Sequence, residues 1–256
     1  LTDGALLDLR SLNEAESGQT GFIRLSDDGM DFVRGDGKPI RFWGCASNPK
    51  VDWTPAEIEA HFRFLAKRGV NFVRMHCHIA EESEGAAITD IDEKERDTIW
   101  RYVAAAKKNG IYLLISPYWY HRKIPASWQL EGYQPGDFPV GSLYVCPRYQ
   151  EAYKTWLRKL YLPENPYTGL PLTDDPTLAI CKFKNEDGLL FYTYDRIAEP
   201  HMRTLRERFR DWLTAKYGSL EAARAAWSDA PSPDDDWEAG LPGFYATWEL
   251  TRPPQG

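Results

Sequence analysis

Cysteine is scarce here. The 256 residues hold four, at Cys45, Cys77, Cys146 and Cys181. That is too few for a disulfide scaffold, and three of them fall in or beside β-prone runs, where cysteine behaves as a small buried apolar side chain. No apolar run approaches the roughly 20 residues that a membrane-spanning helix needs. No secretory signal is visible in a chain that opens on Leu1, which is also how a trimmed chain would begin. An extracellular or periplasmic location is expected over a cytoplasmic one, with the compartment otherwise open. Cationic excess is lacking too. Against 31 Lys and Arg stand 38 Asp and Glu, a net charge of -7, so nothing invites a nucleic-acid backbone or an anionic membrane. Gly44-Cys45-Ala46-Ser47-Asn48 is not the G-x-G-x-x-G of a dinucleotide site, and no nucleotide cofactor is expected.

What is abundant is aromatic surface. Aromatic residues make up 14% of the chain, with ten tryptophans, inside a hydrophobic fraction of 43% that supports a sizeable core. Tryptophan and tyrosine offer a flat face with a polar tip and suit wet grooves as well as cores. Eight aromatic residues between Tyr118 and Tyr149 sit in one long loop, which either builds a small core of its own or forms a platform on which sugar rings stack.

The periodicity alternates between two kinds of element. Residues 1–20 read as a polar leader packed on the outside. Phe22 to Phe42 reads as a small antiparallel arrangement, with turns at Asp27-Asp28-Gly29 and Arg34-Gly35-Asp36-Gly37 between short β-prone segments. Thr54-Pro55-Ala56-Glu57 is a helix start, with Thr54 as cap, Pro55 at the first helical position and Glu57 closing a capping box. Ile58, Phe62 and Leu65 then mark one apolar stripe, and a strand follows from Val70 to Met75. The unit repeats: Asp92 caps a helix that stops at Asn109-Gly110, and Ile111 to Ser116 is the next strand. A helix from about Tyr149 to Leu160 precedes a strand from Leu178 to Phe183. With strands near residues 40, 70, 111 and 178, this is β-α-β-α-β-α-β and argues for a parallel sheet. Pro200 to Tyr217 and the stretch after Ser219 read as helices. The tail from Asp229 reads as loop, with Asp234-Asp235-Asp236 as solvated surface.

Two architectures fit four parallel strands: a small doubly wound sheet, or the first half of an eight-stranded barrel. In both, ligands bind at the carboxyl ends of the strands. Asn185-Glu186 stand at the end of the fourth strand. Strict alternation would place Lys182 and Lys184 on the same side as Glu186. Asn48 follows the first strand. His76 and His78, two residues apart on the second, share a face and are candidates to line a pocket. No further Cys/His cluster accompanies them, so a metal site is not expected. Trp119 and His121 follow the third strand most closely.

The order and spacing of four segments resemble the N-terminal half of a clan A glycoside hydrolase of the cellulase-like family 5 type. Lys38-Pro39-Ile40-Arg41-Phe42-Trp43-Gly44 resembles the run into the first barrel strand. Val70-Asn71-Phe72-Val73-Arg74 resembles the second, Gly110-Ile111-Tyr112-Leu113-Leu114-Ile115 the third, and Asn185-Glu186 the pair closing the fourth. The resemblance covers about residues 21–227. It implies an α/β fold, a (β/α)8 barrel represented by its first four β/α units plus an N-terminal β-hairpin and C-terminal helices, as a single domain over 1–256. It implies retaining hydrolysis of a β-linked oligo- or polysaccharide, with carboxyl groups about 5 Å apart. Glu186 would be the general acid/base. Asn185 would hold the hydroxyl next to the anomeric carbon, and Arg74 would lie under the nucleophile and keep it ionised. The family's nucleophile is a glutamate on the seventh strand and is expected beyond the end of this chain. His76, His78, Trp119, His121 and Asn48 would line the sugar pocket. Half a barrel has two open sheet edges, so self-association is expected. The alternatives are a non-catalytic carbohydrate-binding or scaffold protein with a degenerate barrel and, on His76 and His78 alone, a metal-dependent hydrolase.

Overall fold

The computed structural model describes residues 7–118, 122–189, 193–228 and 232–245, and all but the side chain of Asp195 among them. In chain order the elements are β1 (Arg24–Leu25), β2 (Phe32–Val33), β3 (Pro39–Ile40), β4 (Gly44–Ala46), α1 (Pro55–Ala66), β5 (Phe72–His76), α2 (Glu93–Lys108), β6 (Tyr112–Ser116), α3 (Ser142–Val145), α4 (Pro147–Tyr161), β7 (Glu164–Asn165), β8 (Leu170–Pro171), β9 (Leu178–Cys181), α5 (His201–Tyr217) and α6 (Leu220–Ala226). They fall into two compact units, one of residues 1–81, 89–119 and 154–185, the other of 82–88, 120–153 and 186–256.

The first unit is built on a four-stranded parallel sheet in the order β4-β5-β6-β9. Its helices form where the caps demand. The Thr54 hydroxyl accepts from the Glu57 backbone N–H, and the Glu57 carboxylate accepts from Thr54 in return. Such a cap stabilises the helix by roughly 1 kcal/mol. Asp92 accepts from the N–H groups of Lys94 and Glu95 at the start of α2. Ile58, Phe62, Leu65 and Ala66 of α1 are buried, and the Phe62 ring meets Tyr102 of α2 edge-on at 5.4 Å. Along β5 burial alternates: Val73 and Met75 are fully buried, while Phe72, Arg74 and His76 on the opposite face are only partly so. The period of two places Arg74 and His76 on one face.

The first parallel strand begins at Gly44 rather than near residue 40. Residues 39–40 belong instead to a three-stranded antiparallel sheet, β1-β2-β3, where a hairpin was expected. The switch is held by Asn71, whose Oδ1 accepts from Trp43 N (2.8 Å) and whose Nδ2 donates to Arg41 O (2.8 Å). The leader is not packed merely on the outside. Ser17 is fully buried and donates to Thr177 Oγ1 at 3.1 Å, and the Glu14 carboxylate accepts from the hydroxyl of Tyr112, the first residue of β6. Gly110 makes room for it. A Cβ there would lie 2.0 Å from Glu14 O. Among the described residues β4 and β9 each have a single strand neighbour. Next to β9 lies an apolar cleft of about 480 Å³, lined by Phe22, Leu157, Leu162, Leu172, Leu178 and Phe183 among others, with Phe183 66% exposed.

The second unit is mainly helical. Val145, Tyr194, Ile197 and Leu205 form its buried cluster, covered by Tyr144, Leu189, Met202 and Phe244. Phe209 of α5 stacks on Phe244 at 4.3 Å and on Trp227 at 6.1 Å, which ties the tail to the helices. The acidic run in that tail is not simply solvated. Asp235 accepts from Ser232 N (2.8 Å) and Gly243 N (2.7 Å), closing the loop on itself.

Candidate active site

In the first unit β9 stops at Cys181, so strand alternation does not extend to the residues beyond it. Lys182 still pairs through its backbone, donating to Ile115 O at 2.9 Å, and the chain then leaves the sheet. The expectation that Lys182 shares the side of Glu186 assumed a strand running through Phe183. Instead the Lys182 ammonium donates to Asn185 Oδ1 at 2.7 Å. The Arg74 guanidinium, from the third residue of β5, donates to the same oxygen, also at 2.7 Å. Asn185 is 2% exposed.

This arrangement fixes the amide. Lysine and arginine only donate, so the atom facing both must be the oxygen. Nδ2, with its two N–H groups, is turned the other way and donates to no described protein group. Among the described residues the Arg74 side chain has that amide oxygen as its one polar partner and no carboxylate beside it. Lys182 is the member of this cluster that sequence reasoning missed. The signal was present, a cation three residues before an amide, but its aim depended on where the strand ended.

Around these three, His76 donates its backbone N–H to Asn48 Oδ1 at 3.1 Å. That bond ties Asn48, two residues past β4, to the end of β5. His78 lies two residues past the end of β5 at His76. Its ring is buried against Trp156 of α4, centroids 6.2 Å apart. Ser47 contacts His61 Nε2 of α1 at 2.8 Å, and burial lowers the His61 pKa. Burial pushes the Cys77 thiol well up, which keeps it protonated and unreactive. Among the described residues no group of His, Cys, Asp and Glu is placed to hold a metal ion. Trp119 and His121 lie outside the described residues.

Glu186 belongs to the second unit. Its side chain is exposed and, among the described residues, has no hydrogen-bonding or ionic partner. Its backbone is left-handed, with φ +52°, which costs a residue carrying a Cβ roughly 1–2 kcal/mol. Strain of this kind persists where the surroundings over-determine it, and it clusters at working sites. In the same unit the aromatic loop supplies a core as well as surface. Trp128 and Tyr149 are buried with ring centroids 6.4 Å apart, whereas Phe138 is exposed.

A parallel sheet whose strands alternate with helices, carrying a polar cluster just past its carboxyl ends, defines the class as a partial (β/α)8 barrel. In fold it is similar to solved family 5 glycoside hydrolases. The chain superposes on an endo-1,4-β-mannanase from Rhizomucor miehei with a TM-score of 0.51 and 16% identity, over 87% of this chain and 67% of that one. It superposes on a family 5 mannosidase from the same organism with a TM-score of 0.51 and 12% identity, over 82% of this chain and 71% of that one. In sequence it is 22% identical over 193 residues to the β-galactosidase LacZ of Heyndrickxia coagulans, 73% of this chain but 27% of that protein. The chain therefore spans about a quarter of the curated relative it matches. No family model matches the sequence.

Proposed function

We propose that this chain belongs to a retaining β-glycosidase in which Glu186 is the general acid/base. The observation that carries the reading is the fixed amide of Asn185. Two cations hold its oxygen, which leaves two N–H groups to hold a sugar hydroxyl beside the anomeric carbon. Glu186 is the next residue, one peptide unit away, about 3.8 Å between Cα atoms. Its carboxyl group is exposed and has no described partner, so it is open to a departing oxygen. The Arg74 guanidinium, with no described carboxylate beside it, suits the pairing of a nucleophile supplied by a later strand. His76, His78, Asn48, Trp119 and His121 are proposed to be the sugar-binding residues.

The structural neighbours are named for mannan and mannoside cleavage, so β-1,4-mannooligosaccharides are the first substrates to try, followed by β-galactosides. The full-length protein should release sugar with retention of anomeric configuration, followed by proton NMR. Inverted product, or binding in calorimetry without turnover, would replace this reading with an inverting enzyme or a non-catalytic sugar-binding barrel.

The edges of β4 and β9, unpaired among the described residues, and the apolar cleft beside β9 lead to a second expectation. The 256-residue chain by itself should pair with further copies of itself, because unpaired edges template association. Light scattering on the isolated chain should give more than one chain's mass. A monomer with a cooperative melt would contradict it.

A further inference from the structure

Directly after Glu186 stands Asp187, a carboxylate that the proposed chemistry does not use. It is fully buried. Its Oδ1 accepts from the Thr193 hydroxyl at 2.8 Å and from the Gly141 backbone N–H at 3.2 Å. Its carbonyl accepts from the Tyr144 hydroxyl at 2.7 Å, and that hydroxyl in turn accepts from Leu189 N at 3.0 Å. Gly141 has φ +71°, and a Cβ there would lie 2.5 Å from Ile197 Cγ1. A side chain at 141 would push this N–H away from the carboxylate.

Glu186 needs such a frame. It has no partner of its own among the described residues, its backbone is held left-handed, and a freely rotating acid would meet a leaving oxygen only part of the time. Asp187 is tied to a loop at 141–144 and to residue 193, both within its own unit. Fixing the backbone of residue 187 fixes the ψ side of Glu186 and hence the direction of its Cα–Cβ bond. We propose that Asp187 is the positioning residue of Glu186, holding the acid/base in its left-handed conformation through the Gly141, Thr193 and Tyr144 contacts. This inference rests on the acid/base reading of Glu186.

The test measures kcat/KM of the full-length protein on phenyl and 2,4-dinitrophenyl β-mannosides, β-glucosides and β-galactosides. A dinitrophenolate leaves without a proton, whereas a phenolate needs one, so loss of acid catalysis shows as a split between the two. Asp187→Ala should lose about tenfold or more on the phenyl glycoside, and about threefold or less on the dinitrophenyl one, since misaiming an acid degrades proton transfer selectively. Asp187→Asn keeps the Oδ1 acceptor and should recover most of the loss. Thr193→Val and Tyr144→Phe should each show a smaller split in the same direction, and they carry the test if Asp187→Ala does not fold. Equal losses on both leaving groups mark a merely structural role and overturn the proposal. So does a wild-type profile in Asp187→Ala while Glu186→Gln shows the split. If the wild type hydrolyses the phenyl glycosides and Glu186→Gln shows no split, the acid/base reading itself fails, and this inference fails with it. A wild type that cleaves none of the six glycosides overturns both.

Discussion

Glu186→Gln in the full-length protein should lower kcat/KM on an unactivated β-glycoside by about 10²- to 10⁴-fold, the range that a positioned acid or base contributes. Glutamine keeps the shape of the side chain and removes only its ability to give and take a proton. The thermal midpoint should not move, because Glu186 is exposed and has no described partner to lose. These two readouts together separate catalysis from folding. A variant as active as the wild type removes Glu186 from the mechanism. A variant that melts early assigns it a structural part that the geometry does not show.

Asn185→Asp should separate activity from stability in another way. The new carboxylate would sit where two cations already converge, with Arg74 and Lys182 each 2.7 Å from the present oxygen. Both cations lower its pKa and keep it ionised at neutral pH. The midpoint should hold or rise. Activity should fall by roughly 10²- to 10³-fold, since contacts to the hydroxyl beside the anomeric carbon supply several kcal/mol in the transition state and about 1.4 kcal/mol is tenfold in rate. Aspartate has no N–H to offer that hydroxyl, and it adds a negative charge next to Glu186, which hinders that group's ionisation in the base step. Unchanged turnover would show that the Nδ2 end of Asn185 never meets substrate. A midpoint that drops along with activity would show that the amide serves the fold instead.

Much of the frame was legible in advance because its signals are local. Thr54, Pro55 and Glu57 mark the start of α1, and Asp92 that of α2, through hydrogen bonds spanning only two or three residues. Asn109-Gly110 ended α2 as expected, and Ser219 capped α6. The clustering of Arg74 and Asn185 could be anticipated only by resemblance, since 111 residues separate them. Other expectations failed where the outcome depended on distant chain. A polar leader predicts an outer layer, yet Glu14 and Ser17 find hydrogen-bonding partners at Tyr112 and Thr177 and are drawn inward. Asp187 gave no sign of its role, for its partners Gly141, Thr193 and Tyr144 look in sequence like ordinary loop residues.

Local chemistry, then, settled the kind and order of the elements: short apolar runs alternating with capped amphipathic helices, which pack stably as a parallel sheet under helices. Side-chain aim was settled by packing. Where β9 stops is decided by its pairing with β6, and that stop turns the Lys182 ammonium onto the Asn185 oxygen. A side chain's direction follows from the last residue held in the ladder, and that residue is chosen by a strand more than sixty positions away.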